Sequence, residues 1–177
     1  MISLSKGPSA ELAPGSVTGL LAACHANIRA RIQEARLLAA ATAWDERQHA
    51  SAHAVHEYFA KAFPLHVEDE DERIGPELLA HHGPSVGPLL VELHDEHLRA
   101  EELRLLLVAD WARWRREPGP VSRGHQHVLQ RFARSTEVHL LREERVMFPL
   151  VDALPETTRV TIADAMVAAR GGRRAAP

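Results

Sequence analysis

The chain has 177 residues, of which 45% are hydrophobic, so it is long enough for one domain with a buried core. Its formal net charge of -3 excludes a strongly basic surface, and we therefore expect neither nucleic acid nor a membrane as a partner. The single cysteine, Cys24, excludes a disulfide framework and a thiolate zinc site, and it favours a reducing, cytoplasmic location.

The first segment of the chain is irregular in composition. Residues 1–15 are rich in Pro, Gly and Ser, which predicts a flexible N-terminal tail without the apolar run of a secretory signal. Apolar residues then recur at three- and four-residue steps over four stretches, near 16–41, from Thr42 or Asp45 to 74, 85–116 and 122–153. This spacing predicts four long amphipathic helices, and a short fifth helix is expected at 156–169, after Pro155.

Prolines and glycines mark the predicted boundaries. Pro64 should kink the second helix, the segment 75–84 should be a loop, and Gly171-Gly172 should end the fifth helix before a frayed tail. No stretch alternates with the period of a strand. We therefore predict an all-α, up-down-up-down four-helix bundle over 16–155, followed by a short C-terminal fifth helix and tail over 156–177.

The periodicity also predicts which side chains face the core. On the third helix the inward face should continue from His97 through Glu101, Leu105 and Val108. On the fourth helix the inward residues are predicted to include Ser135, His139, Glu143 and Val146.

A histidine followed four residues later by a glutamate occurs twice, each time shortly before a proline. The pairs are His66 with Glu70 and His139 with Glu143, and each would lie on one face of its helix. In a bundle of alternating direction, His25 and His97 on the other two helices fall at about the same height as these pairs. Polar residues thus interrupt four apolar stripes at one level.

Burying carboxylates without partners costs several kcal/mol each, and bound cations would remove that cost. Imidazole and carboxylate ligands without a thiolate favour a di-iron or di-manganese centre over structural zinc, with Glu70 and Glu143 placed to bridge two ions. The six predicted metal ligands are His25, His66, Glu70, His97, His139 and Glu143.

Other polar residues are interpreted as secondary. His94 is the alternative to His97, while Glu144 either holds an imidazole N–H or, as we favour, lies at the surface. The acidic residues of 68–72 other than Glu70 are expected to form a solvated face. The remaining histidines near predicted loops, at 81, 82, 125 and 127, are expected to be exposed.

These motifs resemble the hemerythrin-like (HHE cation-binding) family over roughly 17–153. The closest likeness is HLLREERVMFPL at 139–150, with LHVEDEDERIGPEL at 65–78 as its companion, LLAACHANI around His25 and LHDEHLRAEEL around His97. The resemblance implies a four-helix bundle with a non-haem di-iron centre, in which the four histidines are terminal ligands and the two glutamates bridge.

The chain departs from the oxygen-carrying hemerythrins of invertebrates, which have five histidine ligands. No histidine lies four residues from His97, and Glu101 is the predicted substitute at that position. The resemblance therefore implies a protein that binds, senses or reacts with a small ligand (O2, NO or peroxide) rather than a dedicated enzyme. The alternatives are iron storage, delivery or repair, or a regulatory helical module in which metal is incidental, and the sequence names no protein partner.

Overall fold

The structure is a computed structural model that describes residues 15–41, 44–114 and 121–172. Within these ranges the chain is helical and contains no strand, in agreement with the predicted all-α class. The predicted tail, apart from Gly15, and residues 115–120 and 173–177 lie outside the described residues. No helix in the described part is long and apolar enough to cross a membrane.

Three of the helices are uninterrupted: α1 is Val17–Ala40, α3 is Gly87–Trp114 and α5 is Glu156–Gly172. The second helix, α2, consists of Glu46–Glu57, Phe63–Glu68 and Gly75–His82, joined by the π-helical segments Tyr58–Ala62 and Asp69–Ile74. The fourth, α4, consists of Arg123–Arg142, the π-helical segment Glu143–Met147 and Phe148–Asp152. A 3-10 turn, Gly83–Val86, joins α2 to α3.

Side-chain caps fix the starts of three helices. The Ser16 and Ser122 hydroxyls accept hydrogen bonds from the Gly19 and His125 backbone N–H groups, which the first turn of a helix leaves unpaired. Asp45, one of the two predicted starting points of the second helix, forms a reciprocal capping box with Gln48 and starts α2, while the other, Thr42, lies outside the described residues.

The predicted loop at 75–84 is wrong, because α2 continues as an α-helix to His82 before the 3-10 turn. The reason lies in the π-helical segments, each of which ends two residues before a proline, at Pro64, Pro76 and Pro149. The N–H of the residue before each proline bonds to a carbonyl five residues back, from Phe63 to Tyr58, from Gly75 to Glu70 and from Phe148 to Glu143. This wider turn accommodates a ring that would clash with the preceding turn of an ordinary α-helix.

The described part of α5 extends to Gly172, so it runs past the predicted limit of 169 and includes the glycine pair that was predicted to end it. Glycine lowers helix stability but does not forbid the helical conformation. Arg170 in its last turn bonds to Asp69 of α2 over 2.6 Å, and this contact holds the end of α5 against the bundle.

The inward faces of α3 and α4 differ from the prediction in their second halves. On α3 the buried residues after His97 are Ala100, Arg104, Leu107, Trp111 and Trp114, and Leu105 is 54% exposed. An α-helix has about 3.6 residues per turn, so two successive steps of four residues leave the starting face of the helix. The predicted face contained two such steps, from His97 to Glu101 and from Glu101 to Leu105. On α4, Ser135 and Val146 are exposed, while Thr136 and Met147 are buried.

The apolar core falls into two clusters. One contains Phe59, Trp111 and Phe132, and beside it the Trp44 ring packs against Trp114 with centroids 5.5 Å apart. The other contains Leu21, Ile74, Met147 and Met166. The buried polar residues of α1 to α4 that belong to neither cluster include the six predicted ligands.

Candidate metal centre

The four long helices bring all six predicted side chains into one buried group. Their residues are between 0% and 7% exposed: His25, His66, Glu70, His97, His139 and Glu143. The spacing of four residues places His66 beside Glu70 and His139 beside Glu143, with the imidazole Nε2 atoms 3.5 and 2.9 Å from a carboxylate oxygen. Both glutamates lie within π-helical segments, which occur frequently at functional sites.

The six side chains form two overlapping groups of four that could each hold an ion. One group is His25, His66, Glu70 and Glu143, and the other is Glu70, His97, His139 and Glu143. In each group one ligand atom from every residue lies within 4.8 Å of the others. The groups share both glutamates, so the geometry provides two neighbouring ion positions.

The carboxylate oxygens divide between these two positions. Glu70 turns Oε1 toward His25 and His66, at 3.8 and 3.5 Å from their Nε2 atoms, and turns Oε2 toward His97, at 3.2 Å. Glu143 turns Oε2 toward His25, at 3.3 Å, and Oε1 toward His97 and His139, at 3.8 and 2.9 Å. Each glutamate therefore presents one oxygen to each position, as a bridging carboxylate requires.

Three imidazoles are fixed from outside by a second set of carboxylates. The Nδ1 atom of His25 donates to Glu144 and that of His97 to Asp71, both over 2.9 Å. The Nδ1 atom of His139 donates to Glu96 over 2.8 Å. These bonds place a proton on Nδ1, so Nε2 is the nitrogen that faces the site and can bind a metal once it is deprotonated, as in many histidine-ligated metal centres.

His66 is the exception among the four imidazoles. Neither of its ring nitrogens has a hydrogen-bond partner among the described residues, and the ring is 2% exposed. Its pKa lies below the ordinary value because burial disfavours the charged imidazolium. The carboxylate that orients the other rings is therefore missing at this position.

The donor atoms fit a metal pair by their chemistry. The inward Nε2 atoms of the four histidines and all four carboxylate oxygens of Glu70 and Glu143 are buried and have no hydrogen-bond partner in the described part of the chain. Burying polar atoms without partners costs free energy, and bound cations would remove that cost by pairing with these nitrogen and oxygen atoms. Nitrogen and carboxylate oxygen donors without sulfur suit iron or manganese.

The imidazoles and carboxylates of this site strongly affect the pKa values of one another. Burial alone would lower the pKa of His25, but the Glu143 and Glu70 carboxylates outweigh it and raise that pKa to about 10. Likewise burial would lower the pKa of His97, and Asp71, Glu143 and Glu70 raise it to about 12. Burial favours a protonated Glu143, yet the three facing imidazoles hold its pKa well below the ordinary value.

The family comparison agrees with this geometry. Residues 16–151 match the family model described as the hemerythrin HHE cation binding domain. The chain belongs to the hemerythrin HHE cation-binding domain family. No curated protein matches the chain closely enough to be compared with it. The resemblance read from the two His-Glu motifs is thereby confirmed, and these motifs carry four of the six side chains in the hemerythrin-like site.

Two residues that were considered as ligands lie elsewhere in this hemerythrin-like domain. His94 bonds to Asp71 over 2.9 Å, its side chain is 54% exposed, and it belongs to neither group of candidate ligands. Glu101 is held by Arg104 at 2.6 Å and 2.5 Å, so the predicted use of Glu101 as a substitute ligand is wrong. Arg104 is itself buried and donates to the Phe59 carbonyl over 2.7 Å.

Several polar residues were placed at the surface incorrectly. Glu144 contacts His25, Asp71 contacts His97, and Asp69 is fully buried between Arg73 and Arg170. His125 is 3% exposed and donates to Asp110 over 2.9 Å. A signal for Glu144 and Asp71 was present, because each directly follows a predicted bridging glutamate and so points toward the neighbouring helix.

A cavity of about 470 Å³ reaches the site between α2, α3 and α4. Three of the candidate ligands, His66, His97 and His139, lie in its wall. The other buried residues of the wall are Phe63, Ala100, Leu140 and the polar Thr136. The cavity therefore borders three of the four candidate imidazole ligands.

Proposed function

We propose that this hemerythrin-like domain holds a pair of iron ions and binds, senses or reacts with a small ligand such as O2, NO or peroxide. The observation that carries the proposal is the pair of four-residue groups that share Glu70 and Glu143. Their inward atoms have no other partner among the described residues. The cavity that ends at three of the imidazoles supports access by a ligand from outside.

The contacts of each residue indicate its role in the proposed metal centre. His25 and His66 would hold one ion and His97 and His139 the other, while Glu70 and Glu143 would bridge them. The bound irons would supply an open coordination position and a change of oxidation state. Glu144, Asp71 and Glu96 orient three of the imidazoles, and the surrounding apolar side chains limit the access of water.

The predicted up-down-up-down order and cytoplasmic location belong to the same proposal. Along α1 the contacts His25–Glu144 and Arg29–Glu137 proceed in the opposite chain direction on α4, which supports an antiparallel pair. A reducing cytoplasm would keep Cys24 a free thiol.

The second candidate function, iron delivery, is favoured by one observation. The Nδ1 atom of His66 lacks the carboxylate that fixes the other rings, so the ion beside His66 would be held less firmly than its neighbour. A protein that passes iron on needs an ion that leaves readily. The two functions differ in whether one iron is lost to a chelator under conditions in which a small ligand still binds.

A spectrum with an added ligand tests the proposed function. Protein reconstituted with iron should change its charge-transfer absorption when azide is added to the ferric form or NO to the ferrous form. Loading with iron but no spectral response to either molecule would contradict ligand binding and favour delivery. Failure to load any metal would contradict both candidate functions.

A further inference from the structure

The cavity beside the metal centre is much larger than O2, NO or peroxide requires. Its volume is about 470 Å³, whereas a molecule the size of water occupies about 30 Å³ in the liquid. Cavities of this size in other proteins hold organic molecules of drug size. A path that served only diatomic molecules would need a small part of this space.

The buried wall of the cavity favours the apolar body of an organic molecule. Its buried and half-buried apolar residues come from three helices: Phe63 and Val67 of α2, Ala100 and Leu103 of α3, and Leu140 of α4. Phe63 and Leu140 are 4% and 1% exposed, so they form the inner part of this wall.

The mouth of the cavity is predominantly cationic. Arg99, Arg131 and Arg134 line it and are exposed. Arg131 and Arg134 form no ion pair with any residue of the described ranges, and Arg99 lies 3.9 Å from Asp95. Of the two acidic residues in the lining, Glu96 is engaged by His139 and Arg142, and Glu102 is exposed. The arginines are therefore free to bind a carboxylate at the entrance.

A hydroxyl deep in the wall has no partner. Thr136 lines the cavity, is 3% exposed, and its Oγ1 atom makes no hydrogen bond to any described residue. An unpaired buried hydroxyl is costly, and a ligand oxygen at this depth would satisfy it. The cavity therefore has polar groups at two depths, separated by apolar wall.

We propose that this cavity binds an organic carboxylate with an apolar body and a hydroxyl or carbonyl oxygen at its far end. The carboxylate binds Arg131 and Arg134, the body lies against Phe63 and Leu140, and the far oxygen bonds to Thr136. This inference rests on the proposed function, because only that proposal places iron ions beside the cavity. It names the class of molecule that the metal centre would meet.

A matched set of probes tests the two polar contacts separately. Calorimetric titration of the iron-loaded protein uses 4-hydroxyphenylacetate, phenylacetate, which lacks the hydroxyl, and tyramine, which replaces the carboxylate with a cation. We expect 4-hydroxyphenylacetate to bind about fivefold more tightly than phenylacetate, and tyramine not to bind. The variant T136V should reduce the binding of 4-hydroxyphenylacetate to the level of phenylacetate.

The arginine contact is tested with R131Q/R134Q, which should weaken both carboxylates about tenfold, corresponding to about 1.4 kcal/mol. R145Q, an exposed arginine of α4 outside the cavity lining, is the control and should have no effect. Circular dichroism checks that the variants remain helical. Absence of binding by either carboxylate, equal binding of tyramine, or insensitivity to both substitutions would overturn the inference.

Two further results separate this inference from the proposed function. Protein that loads iron and responds to azide, but binds no organic carboxylate, would overturn the inference alone. Protein that binds the probes with the expected variant pattern, but takes up no iron, would overturn the proposed function alone. A phenolate–iron absorption band with 4-hydroxyphenylacetate would overturn the bond to Thr136, since the hydroxyl would then lie on the metal.

Discussion

At the residue scale, the outer carboxylates of the centre are the most direct to test. Glu144 accepts from His25 over 2.9 Å and from Arg29 over 2.7 Å, whereas Glu137 contacts Arg29 and no histidine. E144Q should lower metal affinity about 10- to 100-fold, because the imidazole loses the carboxylate that fixes its orientation. E137Q is the matched control and should bind metal normally in a competition assay with a coloured chelator. Equal affinities for the two variants would show that the outer contact does not matter.

The difference in outer contacts predicts that the two ions are bound with different affinities. On α3, Glu96 directly precedes His97 and orients His139. By analogy, the residue that directly precedes His25 on α1 would orient His66, but this residue is Cys24 and has no carboxylate. A chelator should therefore remove the metal in two phases, with the ion beside His66 leaving first. C24E should slow the first phase, and C24S should not. A single phase for both ions would contradict the assignment.

The protonation of the imidazoles predicts a pH dependence. Without metal, the neighbouring carboxylates raise the pKa of His25 to about 10 and the pKa of His97 to about 12, so both rings are protonated at neutral pH. A metal binds only the neutral imidazole, so loading at pH 7 must release protons, and affinity should fall as the pH is lowered. Calorimetry in buffers with different ionisation enthalpies measures the released protons. Binding enthalpies that are independent of the buffer would contradict this.

At the scale of the helices, the sequence predicted where helices exist more reliably than how they run. The candidate start at Asp45 and the apolar periodicity of α1 placed these elements correctly, because both signals are local. The π-helical segments cannot be recognised from the apolar periodicity of the sequence. Gly75 and Pro76 are residues typical of loops, and the prediction of a loop at 75–84 was wrong for this reason. The added residue in a π turn also explains why Met147, and not Val146, faces inward on α4.

Gly75 provides a test of the π-helical segment that carries Glu70. A Cβ atom at Gly75 would lie 3.2 Å from the Glu70 carbonyl oxygen, which its own N–H also contacts, whereas a Cβ atom at Gly87 would meet nothing within 4 Å. G75A should therefore lower the melting temperature and weaken metal binding, because the turn that positions Glu70 must shift. G87A, the control, makes the same change before a proline without that contact, so it should leave metal binding unchanged. Equal behaviour of the two variants would contradict this role for the turn.

At the scale of the whole molecule, the site was easier to predict than its surroundings. Six side chains of ligand type at one height on four predicted helices were enough to bring the candidate ligands together, and the structure places them in one group. Their role as ligands remains a prediction. The contacts around them were missed because Glu144, Asp71 and Glu96 act between helices, and single-helix periodicity does not show which exposed-looking residue meets a neighbour.

The wider bundle supports the centre through charge as well as apolar packing. Asp69, directly before Glu70, is fully buried and is neutralised by Arg73 of its own helix and Arg170 of α5. The C-terminal helix therefore contacts the bundle one residue from a candidate bridging ligand. Cys24, directly before His25, lies 3.4 Å from the same Arg170 guanidinium.

The central claim is that this centre holds two irons, and elemental analysis of the anaerobically reconstituted protein tests it most directly. We predict about two irons per chain, because six ligand side chains are too many for one tetrahedral ion. E143A should lose at least one iron, since a bridging carboxylate serves both positions. One tightly held zinc with no iron in the wild-type protein, or two irons retained by E143A, would contradict the account.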